Sequence, residues 1–207
     1  FTTAGVLKEN DINDIAIDLD SDLGVLTVSG SVEDIFNTWK MHLTLDAAAH
    51  LDRVSQISEN MPDLGGIVDL SITGTGSLNN PSVQLQINGQ NMEMEQTFKK
   101  GSLDITMDLA EQVLTIAQGQ VNLLDSRMEF SGATDLSSLF PEGFLHPVRD
   151  MDRLAYAVSF DQQGGDFARL APWMPGYSGQ FSSHGDIRGK GISMETLTAD
   201  YKLAVSL

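Results

Sequence analysis

Apolar and polar residues alternate along most of this chain. Val83, Leu85 and Ile87 are spaced by Gln84 and Gln86. Leu103, Ile105, Met107 and Leu109 are spaced by Asp104, Thr106 and Asp108. Tyr156, Val158 and Phe160 continue the same rhythm through Ala157 and Ser159. A period of two sends one set of side chains to one face of a β-sheet and the other set to the opposite face. The alternation predicts an all-β chain of about a dozen strands, with one or two short helices.

Further strands are expected around Ile15–Leu19, Leu26–Val28, Met41–Leu45 and Val68–Ile72. Others follow at Leu114–Ile116, Val121–Leu123, Met128–Phe130, Phe181–Ile187, Leu197–Ala199 and Tyr201–Leu207. Asp22-Leu23-Gly24, Asn79-Asn80-Pro81, Asn88-Gly89 and Lys100-Gly101 supply turn chemistry between them. Two stretches switch to helical spacing. Asp46 is placed to cap a helix over Ala47–Ser58 that Pro62 stops, and Asp166 to cap a shorter turn holding Phe167 and Leu170 before Pro172. Both are expected to pack on an end or edge of the sheet.

An internal repeat of about 115 residues is visible. Met61-Pro62 recurs as Met174-Pro175, Gly74-Thr75-Gly76 as Gly189-Lys190-Gly191, and Asp46 as Asp161 after a matching strand. Val28-Ser29-Gly30-Ser31 resembles Phe130-Ser131-Gly132-Ala133. The units span 23–80 and 126–195, linked by extra strands over 81–125. Such repetition predicts one elongated array built strand beside strand.

Composition narrows the functional classes. The 207 residues carry a formal charge of −17, which repels phosphate and makes nucleic acid an improbable partner. With 41% hydrophobic and 20% charged residues the chain can bury a core. No apolar run approaches the roughly 20 residues of a membrane helix. The lack of cysteine excludes disulfides and thiolate chemistry and suits an oxidising compartment. Phe1-Thr2-Thr3 at one end and the strand-like Tyr201–Leu207 at the other read as cuts through a longer protein.

Reactive groups form no recognisable constellation. Asp18, Asp20 and Asp22 open like a calcium loop, but Leu23 and Ser29 stand where it needs glycine and an acid. Gly74-Thr75-Gly76 lacks the third glycine of a dinucleotide site and reads as a bend or bulge. His42, His50, His146 and His184 show no metal spacing. Ser183-His184 with Asp186 suggests a triad, but adjacency along a strand is expected to separate the side chains onto opposite faces. No catalysis, cofactor or metal is expected. Trp39 and Trp173 suit core or groove-rim packing, and Met92, Met94, Met107, Met128 and Met194 are polarizable enough to accept varied apolar partners.

Gly74-Thr75-Gly76-Ser77-Leu78-Asn79-Asn80-Pro81, followed by Val83–Met92, resembles the repeat unit of the AsmA-like proteins. Lys100–Ile105 and Phe130–Leu136 are similar in style, and the likeness runs from about Asp22 to Leu203. The resemblance implies an elongated, curled antiparallel or mixed β-sheet forming a hydrophobic groove, a β-taco of the repeating β-groove type. It implies a periplasmic position in a protein anchored to the inner membrane by a helix outside this chain. It implies bulk phospholipid transport to the outer membrane, with phospholipid acyl chains and an outer-membrane β-barrel protein as partners. An older reading of the family is an assembly module for outer-membrane proteins.

Elementary energetics point the same way. About 12 strands at ~4.8 Å spacing extend ~55 Å, and twist curls such a sheet. An acyl chain of ~16 carbons loses ~12 kcal/mol on entering water, which a continuous apolar floor offsets. The expected floor is Val83, Leu85, Ile87, Leu103, Ile105, Met107, Leu109, Leu114, Ile116, Val121, Leu123, Met128, Phe130, Tyr156, Val158 and Phe160. Two alternatives stand beside it. In an assembly module or scaffold, a free sheet edge pairs with client strands. In a closed β-sandwich or β-solenoid, an adhesin or glycan binder, a second layer seals the same face. Whether Ile105, Met107, Ile116, Leu123 and Phe130 face open space or a second layer separates them.

Overall fold

The structure is a computed structural model that describes residues 2–57, 63–94, 98–148, 154–166, 179–191 and 197–206. Twelve strands follow one another as β1 (Thr2–Lys8), β2 (Asp11–Ser21), β3 (Gly24–Glu33), β4 (Lys40–His50), β5 (Leu64–Ser77) and β6 (Asn80–Met94). They continue as β7 (Phe98–Ala110), β8 (Val113–Leu123), β9 (Ser126–Asp135), β10 (Ala155–Asp166), β11 (Gln180–Lys190) and β12 (Leu197–Ser206). All lie in one sheet in simple sequence order, every neighbouring pair antiparallel. The sheet is curled and is not closed into a barrel. Among the described residues the fold is therefore almost entirely β, with every pairing antiparallel.

Cross-strand register turns the alternation of each strand into continuous rows. One row runs Ile17, Val28, Leu45, Ile72, Leu85, Met107, Ile116, Gly132, Val158 and Ile187, one residue per strand from β2 to β11. Two residues along, on the same face, lie Leu26, Ala47, Leu70, Ile87, Ile105, Gly119, Phe130 and Phe160. Asp18, Thr27, Asp46, Ser71, Gln86 and Thr106 form a row on the opposite face. A slip of one residue in any strand would exchange its faces, so the apolar rows themselves pin the register.

Several expectations change. The helix expected over Ala47–Ser58 is a single turn, α1 (Leu51–Val54), followed by a 3₁₀ turn over Ser55–Ile57. Asp46 and Ala47–His50 belong to β4, where Asp46 accepts a 2.7 Å hydrogen bond from the Ser71 hydroxyl instead of capping a helix. The β5 ladder outweighs the helix propensity of the alanines. Leu114–Ile116 and Val121–Leu123 are one strand, interrupted by a bulge at Ala117 and Gln118. Leu197–Ala199 and Tyr201 onward are likewise one strand. Thr2–Lys8 was not expected as a strand and forms the outer edge. Gly74-Thr75-Gly76 sits in regular pairing within β5; only Gly76, at φ +90°, uses glycine's backbone freedom there. Pro62, the turn at Phe167–Pro172, Trp173 and Met194 lie outside the described residues.

Candidate functional site

All sixteen residues expected to line a groove fall on one face of the sheet, on β6 to β10. The register extends that face to strands the expectation left out, through Ile17, Val28, Leu45 and Ile72 on one side and Ile187 on the other. Among the described residues no second layer covers it, because they form a single sheet. Leu85, Met107, Ile116 and Val158 are half-buried, and no large side chain is fully buried among the described residues. The chain exposes 13464 Å², where a compact chain of its mass exposes about 9,400 Å². Among the described residues the fold leaves an apolar face open instead of sealing it under a second sheet.

Two glycines on this face are covered by their aromatic neighbours. An ideal Cβ on Gly119 would overlap the ring of Phe130, its partner on β9, and one on Gly189 would overlap the ring of Tyr156 on β10. Each ring lies down over the gap its partner leaves, which keeps the floor continuous and low.

The opposite face is a solvated polar ladder. Gln84 donates to Asp108 at 3.2 Å and Ser159 to Asp186 at 2.5 Å. Shallow depressions of about 420, 380 and 400 Å³ lie on this polar face. The first is lined by Thr27, Asp46, Asp69, Ser71, Gln86 and Asp104 among others. These hollows form where short side chains stand between longer ones, and in the first Ser71 already donates to Asp46.

His184 and Asp186, two apart on β11, share this polar face, which corrects the expectation that all three of that group are separated. The His184 ring nitrogens stand 3.6 Å from Asp161 and 3.6 Å from Asp186. Ser183 points the other way and donates to Gln162 at 3.1 Å. The Ser159 hydroxyl, followed by His184 and Arg188, holds the Asp186 carboxyl below the usual aspartate range. Ser159 donates to a carboxylate rather than to the imidazole, so nothing here activates it as a nucleophile. Among the described residues no group of three or more acidic, His or Cys side chains is placed to hold a metal.

One rim of the sheet is tied together by turns. Ile35 donates to Asn10, Leu78 to Trp39, Phe144 to Asn79 and Leu136 to Gln112, each through the backbone at 2.8–3.0 Å. Phe36 and Trp39 stand out from this rim, 73% and 48% exposed. Of the core or groove-rim packing expected for Trp39, its exposure fits the rim; sequence reasoning missed the connection between β9 and β10, whose partner on the rim is remote in the chain.

Comparison with known protein families, with characterised proteins and with solved structures finds no match to this chain.

Proposed function

We propose that this chain is a segment of a lipid-conducting groove. Its apolar face carries phospholipid acyl chains along the row of strands while headgroups stay in solvent at the open side. The observation that carries the reading is the uninterrupted apolar row from Ile17 to Ile187, uncovered by any second layer among the described residues. A face of this extent is far larger than the patches soluble monomers usually leave in water. The resemblance to AsmA-like proteins, TamB in particular, extends the proposal. The segment then works in the periplasm, within a protein anchored in the inner membrane, and passes phospholipid toward the outer membrane.

Met107 and Thr106 are neighbours on opposite faces, which makes a sharp test. Met107→Asp and Leu85→Arg put charge on the floor; Thr106→Asp puts it on the wet side. Native mass spectrometry of protein produced in a bacterial periplasm is expected to show bound phospholipid in the wild type and Thr106→Asp. It is expected to be lost in Met107→Asp and Leu85→Arg while far-UV circular dichroism stays sheet-like. Equal lipid in all four proteins would sink the proposal.

A second reading draws on the outer edge of β1, which no strand of the sheet covers and whose residues are all exposed. An edge of this kind can accept a further strand, as a scaffold for outer-membrane protein assembly would need. A lipid-free protein that captures extended β-strand peptides along β1 would favour it.

A further inference from the structure

The geometry points to residues 136–148 as a gate across one end of the apolar floor, latched by Asn79. This inference rests on the acyl-chain reading above. The connection leaves β9 at Asp135 and does not go straight to β10. It reaches back over the ends of β8 and β7 to the β5–β6 turn, a lateral distance of about 14 Å, or three strand spacings.

Its anchors are polar and few. Leu136 donates to the Gln112 carbonyl at 2.8 Å in the β7–β8 turn. Asn79 then makes three contacts: its side-chain amide donates to the Glu142 carbonyl at 3.0 Å, its side-chain oxygen accepts from Leu145 at 3.3 Å, and its backbone carbonyl accepts from Phe144 at 2.9 Å. Gly143 is buried against this latch at φ +93°, and a Cβ there would run into the Asn79 side chain. Val148 closes the loop on itself by donating to the Leu139 carbonyl at 2.6 Å.

The segment carries an apolar cluster. The Phe140 and Phe144 rings meet at 4.5 Å, and Leu136, Leu139, Phe140 and Phe144 are all half-buried. Pro81, two residues beyond Asn79 and on the apolar face, is buried. Glycines aside, Pro81 and Ser55 are the only buried residues among those described. Glycines aside, no other floor position is buried, which marks Pro81, beside the latch, as the best-covered point of the floor. The Phe pair then stands in for lipid, covering the floor around Pro81 until an acyl chain displaces it. Two side-chain hydrogen bonds at an exposed position are a weak clasp, suited to opening and reclosing.

Transfer of pyrene-labelled phosphatidylcholine from phosphatidylcholine vesicles, together with hydrogen exchange at Phe144 and Leu145, tests the gate. Asn79→Ala is expected to speed exchange at these two amides about tenfold and to raise the rate of lipid uptake severalfold. The chain has no cysteine, so Asn79→Cys combined with Leu145→Cys, across a latch hydrogen bond and clear of the positive φ of Gly143, gives a lock without competing thiols. Its oxidised form is expected to take up lipid more slowly than wild type, and its reduced form faster. Faster exchange in Asn79→Ala with uptake equal in all forms overturns the gate and leaves the groove standing. A wild type that takes up no lipid at all removes the groove and the gate together.

Discussion

Single side chains decide how low and how continuous the apolar floor is. Because the Phe130 ring lies over Gly119, Gly119→Val forces the ring up and is expected to destabilise the fold by about 1–3 kcal/mol, read from the urea midpoint. Phe130→Leu, by contrast, leaves the glycine uncovered without a clash. On the rim, Asp34 organises the β3–β4 turn. Its carboxyl accepts from Asn37 at 2.7 Å and from the Thr38 hydroxyl at 2.8 Å, and these bonds hold it below the ordinary aspartate value of 3.8. A lowered folded-state value means the stabilisation is fully present above the ordinary value and is lost as pH falls through the lowered one. Removing the larger cause with Asn37→Ala is expected to return the Asp34 titration, followed by NMR, toward 3.8. An unchanged titration would assign the shift to Thr38 alone.

Strands keep their faces through register, and this gives deletions very different consequences. In β8 the bulge makes Ala117 and Gln118 share one outward slot, so deleting Ala117 leaves Met107 opposite Ile116 and Leu103 opposite Val121. That deletion is expected to cost about 1 kcal/mol or less in thermal or urea unfolding. Deleting Gln86, within the unbroken pairing of β6 from Val83 to Gly89, turns one half of the strand inside out and is expected to abolish cooperative unfolding. Period-two spacing made β2 to β7 and β9 to β11 legible in the sequence, and with the two pieces read for β8 it placed all sixteen residues expected as floor on one face. Thr2–Lys8 went unseen because Thr-Thr-Ala-Gly does not alternate. Strand β8 was read in two pieces because its bulge breaks the rhythm. Ala47-Ala48-Ala49 read as helix because local propensity carries no knowledge of Asp69 and Leu70, its partners on β5. The 136–148 connection was illegible for the same reason. Asn79 and Leu145 lie 66 residues apart, and nothing in either segment advertises the other.

Across the chain, the sheet is a row in which each strand leans on its two neighbours, and the three hydrogen bonds of Asn79 to 136–148 tie together parts that are not adjacent in the row. Stability then adds up locally, strand by strand, as in repeat proteins. The floor is built the same way, so its length is set by the number of strands rather than by the size of a sealed core. That organisation carries a mechanical consequence. Tension applied along the row, from β1 toward β12, meets one ladder of hydrogen bonds at a time. A closed barrel under the same load would have to break at two seams at once. Stretched between two fixed points, this chain yields as a zip does, tooth by tooth from its outer strands. The Asn79 clasp between β6 and β9 is the stitch that keeps the middle teeth from parting first.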